Sequence, residues 1–138
     1  MGNVSLMKNR DTDGVPFRGT AEKSGALWAN YSFAKDSTLG GLSFGFGADY
    51  LNKRAGDAAS GVTSASTPTN IIRVQPSFWL PERTLVNANI AYRFNQHWRS
   101  QVNIENLLNQ DYLQASTGRT NVWVGTPFNT KVTVTYSF

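Results

Sequence analysis

His97 is the only histidine of the chain, and there is no cysteine. A catalytic or metal-binding histidine needs convergent partners. None is near it in sequence, and beside Trp98 it reads as a turn residue. Asp11-Thr12-Asp13-Gly14 opens like a calcium loop without completing the liganding pattern, and reads as a solvated turn. Asn106-Leu107-Leu108-Asn109, followed by Asp111-Tyr112, has the look of a ligand or metal cluster. Asn and Asp bond their own backbone in turns, so this segment is expected to end a strand and shape the loop after it. Recognition is the chemistry left. Arg73, Phe78, Trp79 and Arg83 share one long polar stretch, and Arg119 and Trp123 share another. Aromatics and arginines so placed can stack on and pair with an anionic chelate, or simply pack the loops on one another. No enzyme, cofactor or resident metal is expected.

The elements that must position these residues are read from period-two alternation, the mark of a strand with one apolar and one polar face. The last nine residues, Thr130–Phe138, set Val132, Val134, Tyr136 and Phe138 against Lys131, Thr133, Thr135 and Ser137. Ala26–Phe33, Leu39–Leu51, Leu85–Phe94 and Trp98–Asn106 repeat the pattern, which makes five strands and no helical period. About nine to eleven tilted residues suffice for a β-strand to cross a bilayer. The expected fold is therefore all-β, with antiparallel transmembrane strands.

Composition is compatible with that reading. The chain has 138 residues and a net charge of +4 with the basic residues scattered, whereas a nucleic-acid surface clusters them; no nucleic-acid partner is expected. Mean hydropathy is −0.36. Membrane barrels look equally polar, because only alternate strand residues meet lipid. No stretch approaches the roughly eighteen apolar residues of a membrane helix, and no signal peptide is visible.

The connections alternate in length. Ala34–Thr38 and Asn95–His97 are short, while residues 52–84 and 107–129 are long, the arrangement of outer-membrane barrels with short periplasmic turns and long extracellular loops. Tyr31, Phe33, Tyr92, Phe94, Trp98, Tyr136 and Phe138 fall at strand ends on the short-turn side. They are expected to form a membrane-interface belt, with Val132 and Val134 facing lipid beside them. Arg93, Arg99, Gln101 and Glu105 on the other face are expected to line a wet lumen or touch a plug. Residues 1–25 are expected to be an extracellular segment, and residues 26–138 the barrel strands. Five strands with ends on opposite sides cannot close, and open edges are costly in lipid, so a larger barrel is expected. Alone, such a piece is expected to aggregate. The competing readings are a porin or adhesin barrel, an outer-membrane hydrolase, and a water-soluble β-sandwich.

Four segments resemble one family. Val102-Asn103-Ile104-Glu105-Asn106-Leu107-Leu108-Asn109-Gln110-Asp111-Tyr112 looks like the penultimate-strand motif LNVxNLFDKxY of TonB-dependent outer-membrane receptors. Gly125-Thr126-Pro127-Phe128 resembles their G-x-P-R segment, with Phe128 in place of the arginine. Ser24–Tyr31 resembles the LWTxY strand of the siderophore-receptor branch, and Leu42–Gly47 its GLGxG strand. The resemblance implies the C-terminal strands of a barrel of about 22 strands, located in the bacterial outer membrane. It further implies import of a ferric siderophore or similar large ligand with energy supplied by TonB. The implied partners are outer-membrane lipid, the remaining strands and plug, the TonB complex through an N-terminal region absent from this sequence, and the barrel-assembly machinery reading the terminal aromatic strand.

Overall fold

The computed structural model describes residues 1–8, 10, 15–58, 62–63, 71–72 and 76–138. In chain order its strands are β1 (Gly2–Leu6), β2 (Lys23–Ser32), β3 (Leu42–Leu51), β4 (Arg54–Ala55), β5 (Val62–Thr63), β6 (Ile71–Ile72), β7 (Trp79–Leu80), β8 (Arg83–Arg93), β9 (Trp98–Glu105), β10 (Leu113–Gly118), β11 (Asn121–Val124) and β12 (Asn129–Tyr136). No helix occurs among the described residues. Six strands form one sheet in the order β1-β2-β3-β8-β9-β12, with every neighbouring pair antiparallel. The short strands pair as β4–β7, β5–β6 and β10–β11 within the two long connections.

The five expected strands are all present, but the sheet has a sixth. Gly2–Leu6 pairs along the first half of β2, Gly2 opposite Leu27 and Leu6 opposite Lys23. Residues 1–25 are therefore not simply an extracellular loop, since they hold β1 and the start of β2. The reason this strand escaped the sequence reading is its length. Only Val4 and Leu6 mark its apolar face, and two positions do not establish a period. What holds it is the free edge of β2, helped by Asn3, whose side-chain oxygen accepts from the Ala26 amide at 3.0 Å.

The short turns are built by their own residues. Between β8 and β9, Asn95 Oδ1 accepts from the amides of His97 and Trp98, both at 2.9 Å, an Asx turn. His97 also exchanges contacts with the final residues: its carbonyl accepts from Ser137 N and its Nδ1 lies 2.9 Å from Ser137 O. Between β2 and β3 the chain turns through Gly41 at φ 92°. A side chain there would sit 2.6 Å from the Arg93 carbonyl, so only glycine lets the turn close against β8.

Candidate functional site

In-register pairing stacks the apolar positions into rungs. One rung runs Leu27, Ala48, Val86; the next Ala29, Phe46, Ala88, Ile104; the next Tyr31, Phe44, Ile90, Val102, Val132. β1 extends the same face with Val4 and Leu6, opposite Gly25 and Lys23. This is the uncovered face of the sheet. Leu27 is 67% exposed, Phe46 54% and Val132 63%. On the opposite face Gly45, Gly47, Leu85 and Ala91 are buried.

At the short-turn end of the apolar face the rings meet both along strands and, as Tyr31–Phe44 and Trp98–Tyr136, across them. Tyr31 lies 5.1 Å from Phe33 and 5.6 Å from Phe44, and Tyr92 lies 4.9 Å from Phe94. Trp98 is 4.8 Å from Tyr136, which is 5.1 Å from Phe138. Cross-strand aromatic pairs contribute roughly 0.2–1 kcal/mol each. All seven aromatic positions singled out in the sequence thus lie at one end of one face, in three groups. Phe44 joins them. Its level could not be read from alternation alone, because alternation assigns a face and only register assigns a height.

The polar face carries a hydrogen-bonded ladder. Arg99 donates to Gln101 at 2.8 Å and Gln101 to Asn103 at 2.6 Å. Further along, Asn87 donates to Asp49 at 3.2 Å and its oxygen accepts from Asn106 N at 3.0 Å. The Trp28 indole lies flat across β3. A Cβ on Gly47 would meet it at 2.2 Å, and one on Gly45 would meet the Asn30 and Asn89 side chains at 2.3 and 2.6 Å. The glycines of β3 are therefore the floor on which an inward tryptophan rests.

Beyond the long-loop end lies the only fully enclosed apolar packing among the described residues. Ala55 and Leu80 are completely buried, and Val15 nearly so. Phe78 covers Gly56, where a Cβ would stand 2.1 Å from the ring. The buried Arg54 guanidinium donates through Nη2 to the carbonyls of Leu113 and Gln114 at 3.0 and 2.7 Å. Burial, and secondly the charge of Arg83, push its pKa down. Asp57 accepts from Ser77 N at 2.8 Å, from the Ser77 hydroxyl, and from Arg119 Nε at 3.2 Å. The Ser77 hydroxyl first, then the Ser77 amide and Arg119, hold the Asp57 carboxyl below the usual carboxylate range against the opposing effect of burial.

The linkage follows in sign. A depressed carboxylate contributes its full stabilisation above the unfolded value of about 4, and loses it as pH falls through the lower folded value. Protease nicking of the β10–β11 hairpin is accordingly expected to stay flat from neutral pH down to about 4 and to rise below it. Asp57→Asn should be nicked faster at neutral pH and lack the acid step. Equal nicking of both proteins at neutral pH would show that Asp57 does not hold the hairpin.

Of the residues proposed for ligand contact, Arg73 lies outside the described residues, as do Asp11 to Gly14. The others are not brought together into one pocket. Phe78 packs on Gly56, Arg119 pairs with Asp57, and Arg83 stacks over the Tyr112 ring at 4.6 Å. Trp79 and Trp123 are 41% and 45% exposed, with Lys53 Nζ 5.5 Å from the Trp79 ring. Among the described residues no three His, Asp or Glu side chains converge as a metal site would require.

The Asn106 segment is structural, as its turn chemistry implies. Asn106 is buried at φ 51° and Asn109 stands at φ 49°. Asn106 Nδ2 donates to the carbonyls of Gln110 and Thr126 at 2.9 and 3.1 Å, and its Oδ1 accepts from Gln110 N at 2.9 Å. Asn109 Oδ1 accepts from Phe128 N at 2.8 Å. Tyr112 lies against Gly125, where a Cβ would be 2.0 Å from the ring. The two segments that resemble family motifs are thus one unit that returns the chain from β9 to β12.

Comparison with known proteins agrees with this architecture. The family model "TonB dependent receptor-like, beta-barrel" matches residues 2–107. No curated protein matches the sequence. Among solved structures, the ferric-catecholate import receptor Fiu of E. coli K12, in its closed form, is similar over 99% of this chain, with TM-score 0.66 and 21% identity. The ferripyoverdine receptor of the outer membrane of Pseudomonas aeruginosa is similar over 86%, with TM-score 0.63 and 20% identity. The ferric enterobactin receptor PfeA of the same organism is similar over 99%, with TM-score 0.61 and 12% identity. The chain spans only 18%, 14% and 19% of the length of those three receptors. With a match that covers most of its length and an antiparallel sheet of the matching form, the chain belongs to the TonB-dependent receptor-like β-barrel family.

Proposed function

We propose that this chain forms part of the barrel wall of a bacterial outer-membrane receptor that imports a ferric siderophore, or a similar large ligand, with energy delivered through TonB. The observation that carries this reading is the inversion of the sheet. Its apolar face is bare and its polar face is the more covered one, whereas monomeric soluble proteins rarely leave a large contiguous apolar patch exposed. Strands of eight to eleven residues match the length a tilted strand needs to cross a bilayer.

In this reading Leu27, Phe46, Ile90, Val132 and Val134 face lipid. Tyr31, Phe33, Tyr92, Phe94, Trp98, Tyr136 and Phe138 form the periplasmic interface belt, and the packed loops cap the extracellular end. The polar face looks inward onto a plug, further strands complete the wall, and the terminal strand is the element read by the assembly machinery. Exposed Trp79 and Trp123 remain the candidates for touching the incoming chelate. The role is transport and not catalysis. The solved relatives are receptors for ferripyoverdine, ferric catecholate and ferric enterobactin, and the chemical class of ligand proposed here rests on that likeness.

The test is fractionation and growth. The gene product should appear in the outer-membrane fraction, rise under iron limitation, and be required together with TonB for growth on at least one ferric siderophore as sole iron source. Uptake that persists without TonB, or a product found in the soluble fraction, would overturn the reading.

A further inference from the structure

At the short-turn end a groove of about 830 Å³ crosses the rim of the sheet. One side is lined by Phe33 and Leu42, half-buried members of the apolar face, with Leu42 opposite Tyr92. The other is lined by Arg93 and Arg99, which stand directly opposite each other in the β8–β9 register. Gly40 and Gly41 form the saddle between, where no side chain divides the two sides, and Lys35 of the same turn adds a third cation. Like charges placed as the two arginines are destabilise a sheet. The one side-chain hydrogen bond that either of them makes runs from Arg99 to neutral Gln101. The ion pairs among the described residues are Arg10–Glu22 and Arg119–Asp57. Neither Asp36, beside Lys35 in the turn, nor any other described carboxylate neutralises the three cations.

We infer that this groove is a headgroup site for an anionic phospholipid of the periplasmic leaflet. The cations stand at the height of the aromatic rings: Arg93 lies between Tyr92 and Phe94 in sequence, and Arg99 follows Trp98. That is the level at which such rings meet lipid headgroups. Guanidinium forks pair bidentately with phosphate, and long basic side chains reach to the interface while their stems cover apolar surface. A phosphate held by the arginine pair leaves its acyl chains on Phe33 and Leu42. There they continue onto the exposed apolar face through Phe44, whose ring is 6.3 Å from that of Phe33. Free phosphate would use the cations and leave the apolar wall bare. A zwitterionic lipid would bring a cation of its own to a site that already carries three. The excess of positive charge therefore favours a lipid with net negative charge, as basic pockets in membrane proteins do. The inference rests on the reading that the apolar face meets membrane lipid.

The experiment uses the receptor produced from its own gene and extracted from the outer-membrane fraction. It is transferred to detergent micelles holding equal amounts of phosphatidylglycerol and phosphatidylcholine, and retained lipid is counted by native mass spectrometry. Phosphatidylglycerol should be retained in preference. That preference should fall about fivefold in Lys35→Gln and about thirtyfold in Arg93→Gln/Arg99→Gln, and it should fall with added salt. Phe33→Ser should weaken retention of both lipids. Removing the repulsive arginine pair should leave the folded fraction level or higher, and Lys35→Gln, in an exposed turn, tests the charge without touching the sheet. Equal retention of the two lipids, a preference that no charge substitution changes, or displacement of phosphatidylglycerol by an equal concentration of inorganic phosphate would overturn the inference while leaving the receptor reading in place. A product absent from the outer-membrane fraction would overturn both.

Discussion

Phe46→Arg is expected to remove most of the folded protein from the outer membrane, while Thr133→Arg leaves it near its normal level. Phe46 sits on the apolar face in a central rung, beside Ala29 and Ala88, and is more than half exposed. In water an arginine there would be harmless. In a bilayer midplane it costs about 2–4 kcal/mol, which reflects stripping or deforming the hydration of a guanidinium. Thr133 is paired with Gln101 on the polar face, where the same charge keeps its water. The readout is the heat-modifiable folded band in isolated outer membranes. Equal loss in both variants, or in neither, would show that the two faces do not meet different solvents, and the proposed orientation would fail.

Asn106→Ala is expected to loosen the return from β9 to β12 by about 2–5 kcal/mol, the combined cost of two effects. Alanine in the left-handed region costs roughly 1–2 kcal/mol. Losing the side chain leaves the Gln110 amide without its acceptor and removes a donor from two carbonyls, worth about 1–3 kcal/mol. Limited proteolysis should cut within residues 107–129 well before it cuts the sheet. Asn106→Gly removes the strain but not the lost hydrogen bonds, so it should recover roughly 1 kcal/mol of the deficit. If Gly and Ala behave identically, the left-handed conformation is not the source of the strain term. If both behave like the parent, the Asn106 hydrogen bonds hold nothing that proteolysis senses.

What could be read in advance was whatever repeats along the chain. Strands β2, β3, β8, β9 and β12 each fell within three residues of the alternating segments at both ends, because one bare face imposes strict period two. The short connection Asn95–His97 was legible from the spacing of the alternating segments, and the strand-ending role of Asn106 because Asn bonds its own backbone in turns. The short β1 was not, since its pairing depends on the free edge of β2 and not on its own pattern. The ligand-contact residues were placed together by their neighbourhood in sequence. Instead, Arg83, Phe78 and Arg119 are occupied by Tyr112, Gly56 and Asp57, partners from other parts of the chain.

The sequence by itself determined that this is an antiparallel sheet with one apolar and one polar face, and which side chains lie on each. It also placed the aromatic residues at the short-turn ends, through the simple alternation of Cβ direction along a strand. Only the tertiary structure decided the heights at which those side chains meet, because register is a relation between strands and leaves no mark within either. Register brought Phe44 to Tyr31, laid Trp28 over Gly45 and Gly47, and set Arg93 against Arg99. It is in those relations between strands, and not along any one of them, that the protein's unpaired charge and its uncovered surface became visible.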